Sequence, residues 1–346
     1  MSATAATIGT PDGQPIPEPS PLANLFLSIW AVLVKESRWR MRGRRAFVVV
    51  TIYVALVALL VFGVQRLVHD SFVNRFDDIG GSADLVSGFA AAAIGQAIFT
   101  TILAVQTMLT LLVAPALTSG AISSEREKQT LELLITTPAS TLGMVVGKLF
   151  SSLAYVLLLT LASVPLMSIV FAFGGIAPDD VVRAYVLLLA VAFGIGSIGL
   201  FMSALLKRSQ VSTALSYVIV FALTFGSLIL HTFLLASAAR FVDDRFVEPG
   251  PPPEMILWLN PLVADLDLLC TAIPDSFGVT CAYTGTITGA QINPANPPRD
   301  AFWPRSAAAF ILVGVGLTLA TTQLIAPSRR IRRPARSPSS VSVEPG

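Results

Sequence analysis

Three groups of side chains in this 346-residue sequence are of types that carry out chemistry: adjacent acids, a serine with a histidine, and a pair of cysteines. Adjacent acids, the residue type of general acid–base catalysis, occur as Asp77 with Asp78, Asp179 with Asp180, and Asp243 with Asp244. No partnering constellation surrounds them, and we expect solvated turns. Ser227 lies one helical turn before His231, yet nothing marks an activated nucleophile or an oxyanion site. The sequence therefore predicts no enzyme active site.

The cysteines, Cys270 and Cys281, both fall in a segment that we assign below to the oxidising side of a membrane. A disulfide can form and persist there, and it would stabilise the segment by about 2–3 kcal/mol in the chain-entropy model. Two buried free thiols are the alternative. The seven methionines are scattered along the chain, unlike a soft-metal path. We therefore expect no metal ion and no cofactor on this chain.

The composition is that of a membrane protein, because 54% of the residues are hydrophobic and only 13% are charged. A helix needs about 20 mostly apolar residues to cross the ~30 Å hydrocarbon layer. Six segments meet this requirement, and they cover residues 46–65, 97–117, 143–173, 181–205, 211–236 and 306–326. The predicted fold class is therefore an all-α integral membrane protein with six transmembrane helices.

The interiors of these spans contain hardly any ionisable side chains. They lack Asp, Glu and Arg, and the lysine Lys148 lies near the start of span three, where its stem can snorkel to the interface. Proton- and sodium-driven transporters and voltage sensors place charges within the membrane. The sequence also lacks the G-x-x-x-x-G-K-[ST] loop that binds nucleotide phosphates. Energy for transport would have to come from a separate ATPase.

Most of the 23 Lys and Arg residues fall in loops and tails on the N-terminal side, and they are densest at 35–45 and 329–336. Basic flanks of spanning helices face the cytoplasm. We therefore expect a multi-pass protein of the bacterial inner (plasma) membrane with both termini in the cytoplasm. The tail at 329–336 then anchors the last span, which we prefer to a nucleic-acid or lipid-headgroup patch.

Polar segments flank the six-span domain, which we place at residues 22–327. Residues 1–21 have no signal-peptide pattern and predict a disordered cytoplasmic tail, and residues 328–346 predict a second, basic one. Residues 237–305 predict a long outer loop interrupted by prolines. Ahead of span one, apolar residues repeat at helical spacing: Leu22, Phe26, Ile29, Trp30 and Leu33. They predict an interfacial elbow helix, with a partly buried lead-in helix as the alternative.

The segment between spans two and three, AISSEREKQTLELLITTPASTLGMVVGK at residues 121–148, predicts a short charged amphipathic helix. Ser124 and Glu127 have the spacing of a capping box at its start, and Pro138 ends it. Apolar residues at 131, 134 and 135 give it one apolar side. Such a helix suits docking to a partner, where the charges would fix the register, but a passive interfacial helix fits these residues equally well.

The same segment resembles the loop between spans two and three of type-2 ABC transporter permeases. The resemblance is strongest to the ABC exporter membrane subunits grouped with multi-copper-enzyme maturation and sodium or drug export. The matching positions are Glu125 with Arg126, Thr130 with Leu131 and Glu132, Thr137 with Pro138, and Gly147 with Lys148. Gln129 departs from the pattern, because the family commonly has glycine there. Its presence predicts a more rigid helix at this position.

The resemblance implies a coupling helix that contacts an ATPase subunit through one set of residues: Glu125, Arg126, Glu127, Lys128, Thr130, Leu131 and Glu132. It implies an exporter permease that moves an unidentified substrate by alternating access and pairs with a second permease as a homodimer or heterodimer. ATP and Mg would bind to the partner ATPase and not to this chain. A six-span membrane scaffold without transport activity is the alternative, and a scaffold would not need the docking helix.

Overall fold

The computed structural model describes residues 27, 29, 30, 33, 34, 44–77, 83–129, 141–238, 240–242, 245–247, 253–272 and 302–325. Nearly all of these residues are helical, because a backbone that crosses a membrane must pair its polar groups within its own segment. One short antiparallel hairpin interrupts the helices, in which β1 (Arg240–Val242) pairs with β2 (Arg245–Val247).

Six helical segments within the described residues are long and apolar enough to cross a membrane, which confirms the predicted all-α six-span class. The helices of the first three spans, with the short helix between spans two and three, are α1 (Arg44–Asp77), α2 (Ala83–Thr118), α3 (Ser123–Glu127), α4 (Thr141–Ala162) and α5 (Val164–Phe173). Span three is divided between α4 and α5, and Pro165 lies in the first turn of α5, where its missing N–H is tolerated.

The second half of the chain contains spans four to six and a short segment between spans five and six. Its helices are α6 (Pro178–Leu205), α7 (Ser209–Phe221), a π-helix (Ala222–Gly226), α8 (Ser227–Ala238), a 3₁₀ turn (Glu254–Leu257), α9 (Pro261–Ala272) and α10 (Trp303–Ile325). Span five consists of α7, the π-helix and α8. We call residues 254–272 the strap, and we name the two ends of the bundle the α3 end and the strap end.

Span four, α6, lies at the centre of the bundle. Of the most apolar 18-residue stretch of this span, 72% is buried inside the molecule, against 17% of the corresponding stretches of spans one and five. Glycines allow this packing: Gly194 lies against Phe310 of α10, and a Cβ added at Gly199 would collide with the Thr118 hydroxyl of α2. The small residues of span four therefore serve helix packing, as their sequence predicts.

Several predicted segments lie wholly or partly outside the described residues. The tails at 1–21 and 328–346 are among them, as is most of the outer loop. Of the predicted elbow helix, Ile29, Trp30 and Leu33 are described and helical, together with Leu27 and Val34. Leu27 and Trp30 are exposed. Its interfacial position stays a prediction.

Candidate functional site

The loop between spans two and three carries the candidate site, and its helix is shorter than the sequence predicts. Helix α3 has five residues and ends at Glu127, with Lys128 as its C-cap. The next residue, Gln129, has a φ of 57°, in the left-handed region that ends helices and favours glycine. The predicted extra rigidity at Gln129 is therefore wrong, because the helix stops before it.

The start of α3 also differs from the prediction. The N-cap is Ile122 in place of the predicted Ser124, and Ile122 makes no side-chain cap bond, so the capping box of Ser124 and Glu127 does not form. Instead, the backbone N–H groups of Ile122 and Ser123 both donate to the Ser203 hydroxyl of α6, each at 2.9 Å. Ser203 is completely buried. Span four therefore supplies the cap that the loop lacks.

Glu125 binds α4 through Lys148. The Lys148 ammonium donates to Glu125 Oε1 at 2.5 Å and to the Ala121 carbonyl at 3.3 Å. The Lys148 side chain is 4% exposed and the Glu125 side chain 25%. The expected snorkelling of Lys148 is therefore wrong, because a carboxylate from the neighbouring loop meets its charge inside the protein. An ion pair this buried holds α3 against span three.

Arg126 and Glu127 connect α3 to spans four and five. The Arg126 guanidinium donates to the Ala204 carbonyl at 3.2 Å, near the end of α6. The Glu127 carboxylate accepts from the Ser209 N–H at 2.8 Å and from the Ser209 hydroxyl at 3.0 Å. Helix α7 has no side-chain cap at its own N-cap residue, Arg208. Glu127 therefore caps span five from outside, where a negative charge also complements the helix dipole.

The charged residues of the site thus divide into two groups. Glu125, Arg126 and Glu127 make contacts with the spans, whereas Lys128 and Gln129 follow the helix and are exposed. The remaining predicted docking residues, Thr130, Leu131 and Glu132, lie outside the described residues, as do Thr137 and Pro138. Lys128 is one of the exposed charges that the described part of this end offers a partner, together with Glu127, Lys207 and Arg208.

Two residues of the site, Ser203 and Ser209, were not predicted. Ser203 belongs to a run of small residues in span four that resembles ordinary packing, and nothing in its neighbourhood distinguishes it. Ser209 follows the basic pair Lys207 and Arg208 at the start of span five, which marks a helix start but not the distant acid that caps it. Each contact joins residues about eighty positions apart.

The predicted disulfide involves one described residue. Cys270 lies in α9, and Cys281 lies outside the described residues; the disulfide between them stays a prediction. No group of three or more His, Cys, Asp or Glu side chains in the described part of the chain is arranged to hold a metal ion. The Ser227 hydroxyl donates to the Leu223 carbonyl, so it is not paired with His231 as a nucleophile would be.

Comparison with known proteins places the chain in a family. Comparison with curated proteins gives no match. The family model described as ABC-2 family transporter protein matches residues 30–264, which include α3 and all its contacts described above. That match covers more than half of the sequence, and it agrees with the six spans and with the resemblance of the loop between spans two and three. The chain belongs to the ABC-2 family of transporter proteins, whose members are the membrane subunits of ATP-binding cassette transporters.

Proposed function

We propose that this chain is the permease half of an ATP-driven exporter in the bacterial inner membrane. It pairs with a second permease, and the pair moves its substrate by alternating access. A separate ATPase binds ATP and Mg and supplies the energy. The start of α1 and the end of α10 lie at the α3 end because the number of spans is even. The sequence next to both of these ends is basic, which supports a cytoplasmic position for the α3 end and for both termini.

The observation that carries the proposal is the number of spans that α3 contacts. It continues from span two, pairs with Lys148 of span three, is capped by Ser203 of span four and caps Ser209 of span five. Displacement of so short a helix must therefore strain or move all of these elements. A scaffold protein has no need for such a connection, whereas a transporter driven from outside needs one.

The contacts also revise which residues meet the ATPase. Glu125, Arg126 and Glu127 are used to fasten α3 to the bundle, so they transmit movement. Lys128 is exposed, and its side chain has no partner among the described residues. We assign it to an acidic surface on the ATPase, where its charge helps to set the register of docking.

The experiment is co-purification of the tagged protein with its ATPase, followed by ATP hydrolysis in reconstituted vesicles, comparing Lys128→Glu with Lys207→Glu. Both lysines are exposed at the α3 end and both substitutions change the charge equally, but only Lys128 follows α3. We expect Lys128→Glu to reduce permease-stimulated hydrolysis about tenfold, equivalent to about 1.4 kcal/mol of lost interaction. Lys207→Glu should stay close to the parent.

Two outcomes would contradict the proposal. Equal losses in both variants would mean a general charge effect and would remove Lys128 from the docking site. Reproducible absence of any ATPase from the purified, intact protein would favour the scaffold interpretation instead.

A further inference from the structure

The strap is fastened firmly to span six. The Arg305 guanidinium pairs with Glu254 at 2.7 Å, the Ser306 hydroxyl donates to the Trp258 carbonyl at 2.8 Å, and the Trp303 N–H donates to Asp267 at 3.0 Å. These contacts lie along both halves of the strap, the 3₁₀ turn and α9. The strap and the start of α10 therefore behave as one unit.

Span five, in contrast, is interrupted in its middle. The π-helix Ala222–Gly226 separates α7 from α8, and single turns of π-helix within α-helices are frequent at functional sites. Beyond it, α8 has Ile229, Leu230 and Phe233 exposed on the outside of the bundle. Span five thus changes its helical geometry halfway along its length, and together with span one it is the least buried of the described spans.

Asn260 of the strap binds this interruption. Its Nδ2 donates to the Thr224 carbonyl at 2.7 Å and to the Ser227 hydroxyl at 2.8 Å. Its Oδ1 accepts from the N–H groups of Leu262 and Val263 at 3.0 and 3.2 Å, and so caps α9. These partners fix the orientation of the amide, because the reverse orientation would place NH₂ against two N–H groups.

No other polar contact in the described part of the chain joins the strap to span five. The neighbouring polar groups on the same face of span five, the Thr224 hydroxyl and both ring nitrogens of His231, have no partner among the described residues. Asn260 itself is completely buried, so water does not compete for its bonds.

We propose that Asn260 is a positioning residue that pins the π-helix to the strap and makes it the pivot of span five. The first residue of α7, Ser209, is tied to α3 through Glu127, and the π-helix is tied to the strap through Asn260. When α3 moves, α7 turns about the pinned π-helix and α8 swings at the strap end. The use of this pivot in transport rests on the proposed function, whereas the pivot itself is a property of the permease alone.

The test is amide hydrogen exchange, measured by mass spectrometry on the full-length protein in detergent, for Asn260→Ser. Serine keeps a cap on α9 but is too short to reach span five. We expect exchange in 227–238 to become about tenfold faster, because two buried hydrogen bonds are lost, while 209–221 and α9 stay unchanged. Ser227→Ala removes one of the two acceptors and should give about threefold.

The matched control is Ser216→Ala, since Ser216 is also buried in span five but bonds only within α7, to the Ser212 carbonyl. It should exchange like the parent. Unchanged exchange in 227–238 for Asn260→Ser would overturn the proposal. Faster exchange throughout span five and α9 would also overturn it, because that result means general loosening and no local pivot.

A second measurement separates the pivot from the proposed function. With the co-purified ATPase and a non-hydrolysable ATP analogue, exchange should change at both α3 and α8 in the parent, but only at α3 in Asn260→Ser. A change at α3 without one at α8 in the parent would overturn the pivot alone. No change at α3 would count against the proposed function, and the pivot would still be decided by the permease measured alone.

Discussion

At the α3 end the contacts between elements include charged groups, whereas at the strap end the contact with span five is a neutral amide. Glu125 with Lys148 and Glu127 with Ser209 act at the first end, and Asn260 acts at the second. Charge attraction declines slowly with distance, while a hydrogen bond weakens steeply outside its narrow geometry. The ion pair of Glu125 with Lys148 is therefore suited to persist while α3 shifts, whereas the Asn260 bonds are suited to fix a position.

Asp265 fits the same contrast, although it is an acid at the strap end. It lies in α9, is 7% exposed, and forms no ion pair within the described residues. Burial raises the pKa of Asp265 to about 7. The Thr107 hydroxyl lies nearby and lowers this pKa slightly, but it makes no hydrogen bond of acceptable geometry. The loss of hydration therefore decides the pKa, and this buried carboxyl of the strap stays neutral below pH 7.

The largest effect should come from breaking the charged contact at the α3 end. Glu125→Ala removes the carboxylate that faces the buried Lys148 ammonium, and an uncompensated buried charge lowers the free energy of unfolding by about 3–5 kcal/mol. Denaturation of the purified protein in mixed micelles measures this change.

The matched control is the double variant Glu125→Ala with Lys148→Met, which removes both charges and should recover most of the lost stability. If the double variant were as unstable as Glu125→Ala, the ion pair would not be the cause, and the contrast between the two ends would lose its main support.

The next effect concerns the pH dependence of the strap end. Asp265 is protonated in the folded protein up to about pH 7, whereas an unfolded Asp ionises near pH 4. The folded state therefore binds more protons, and stability should fall by up to about 1.4 kcal/mol per pH unit as the pH rises from about 4 to 7, and then level off. Thermal unfolding at pH 5, 6 and 7 measures the slope.

Asp265→Asn cannot ionise and should lose this part of the slope. The stability advantage of the parent over the variant should therefore shrink as the pH rises, and it should be smallest, or reversed, at pH 7. Parallel pH profiles for parent and variant would show that Asp265 ionises normally. In that case the strap would contain a buried charge, as the α3 end does, and the contrast between the two ends would be incomplete.

The sequence predicts those parts of the structure that depend on neighbouring residues in the chain. The six spans follow from the lengths of apolar segments, and the close packing of α6 follows from its glycines. The position of α3 follows from the charged segment after span two. None of these inferences requires knowledge of which distant residues meet.

The parts that were not predicted depend on such meetings. The cap from Ser203, the cap on Ser209 and the charge partner of Lys148 come from elements far away in the chain. The π-helix and its contact with Asn260 have no local pattern either. The end of α3 was misjudged for another reason: the apolar residues after it continue the helical spacing, and a single backbone angle at Gln129 stops the helix.

The smallest effect concerns that angle, and it tests how firmly the end of α3 is set. A side chain in the left-handed conformation is less favourable than glycine by about 1–2 kcal/mol, so Gln129→Gly should raise the free energy of unfolding by about 1 kcal/mol. Gln129→Asn should fall between the two, because asparagine tolerates positive φ better than glutamine. The control is Lys128→Gly: Lys128 has a φ of −82°, so glycine gains nothing there and should lower stability. If Gln129→Gly lowered stability, as Lys128→Gly should, Gln129 would not hold the left-handed conformation, and α3 would continue past Glu127 as the apolar spacing of its sequence predicts.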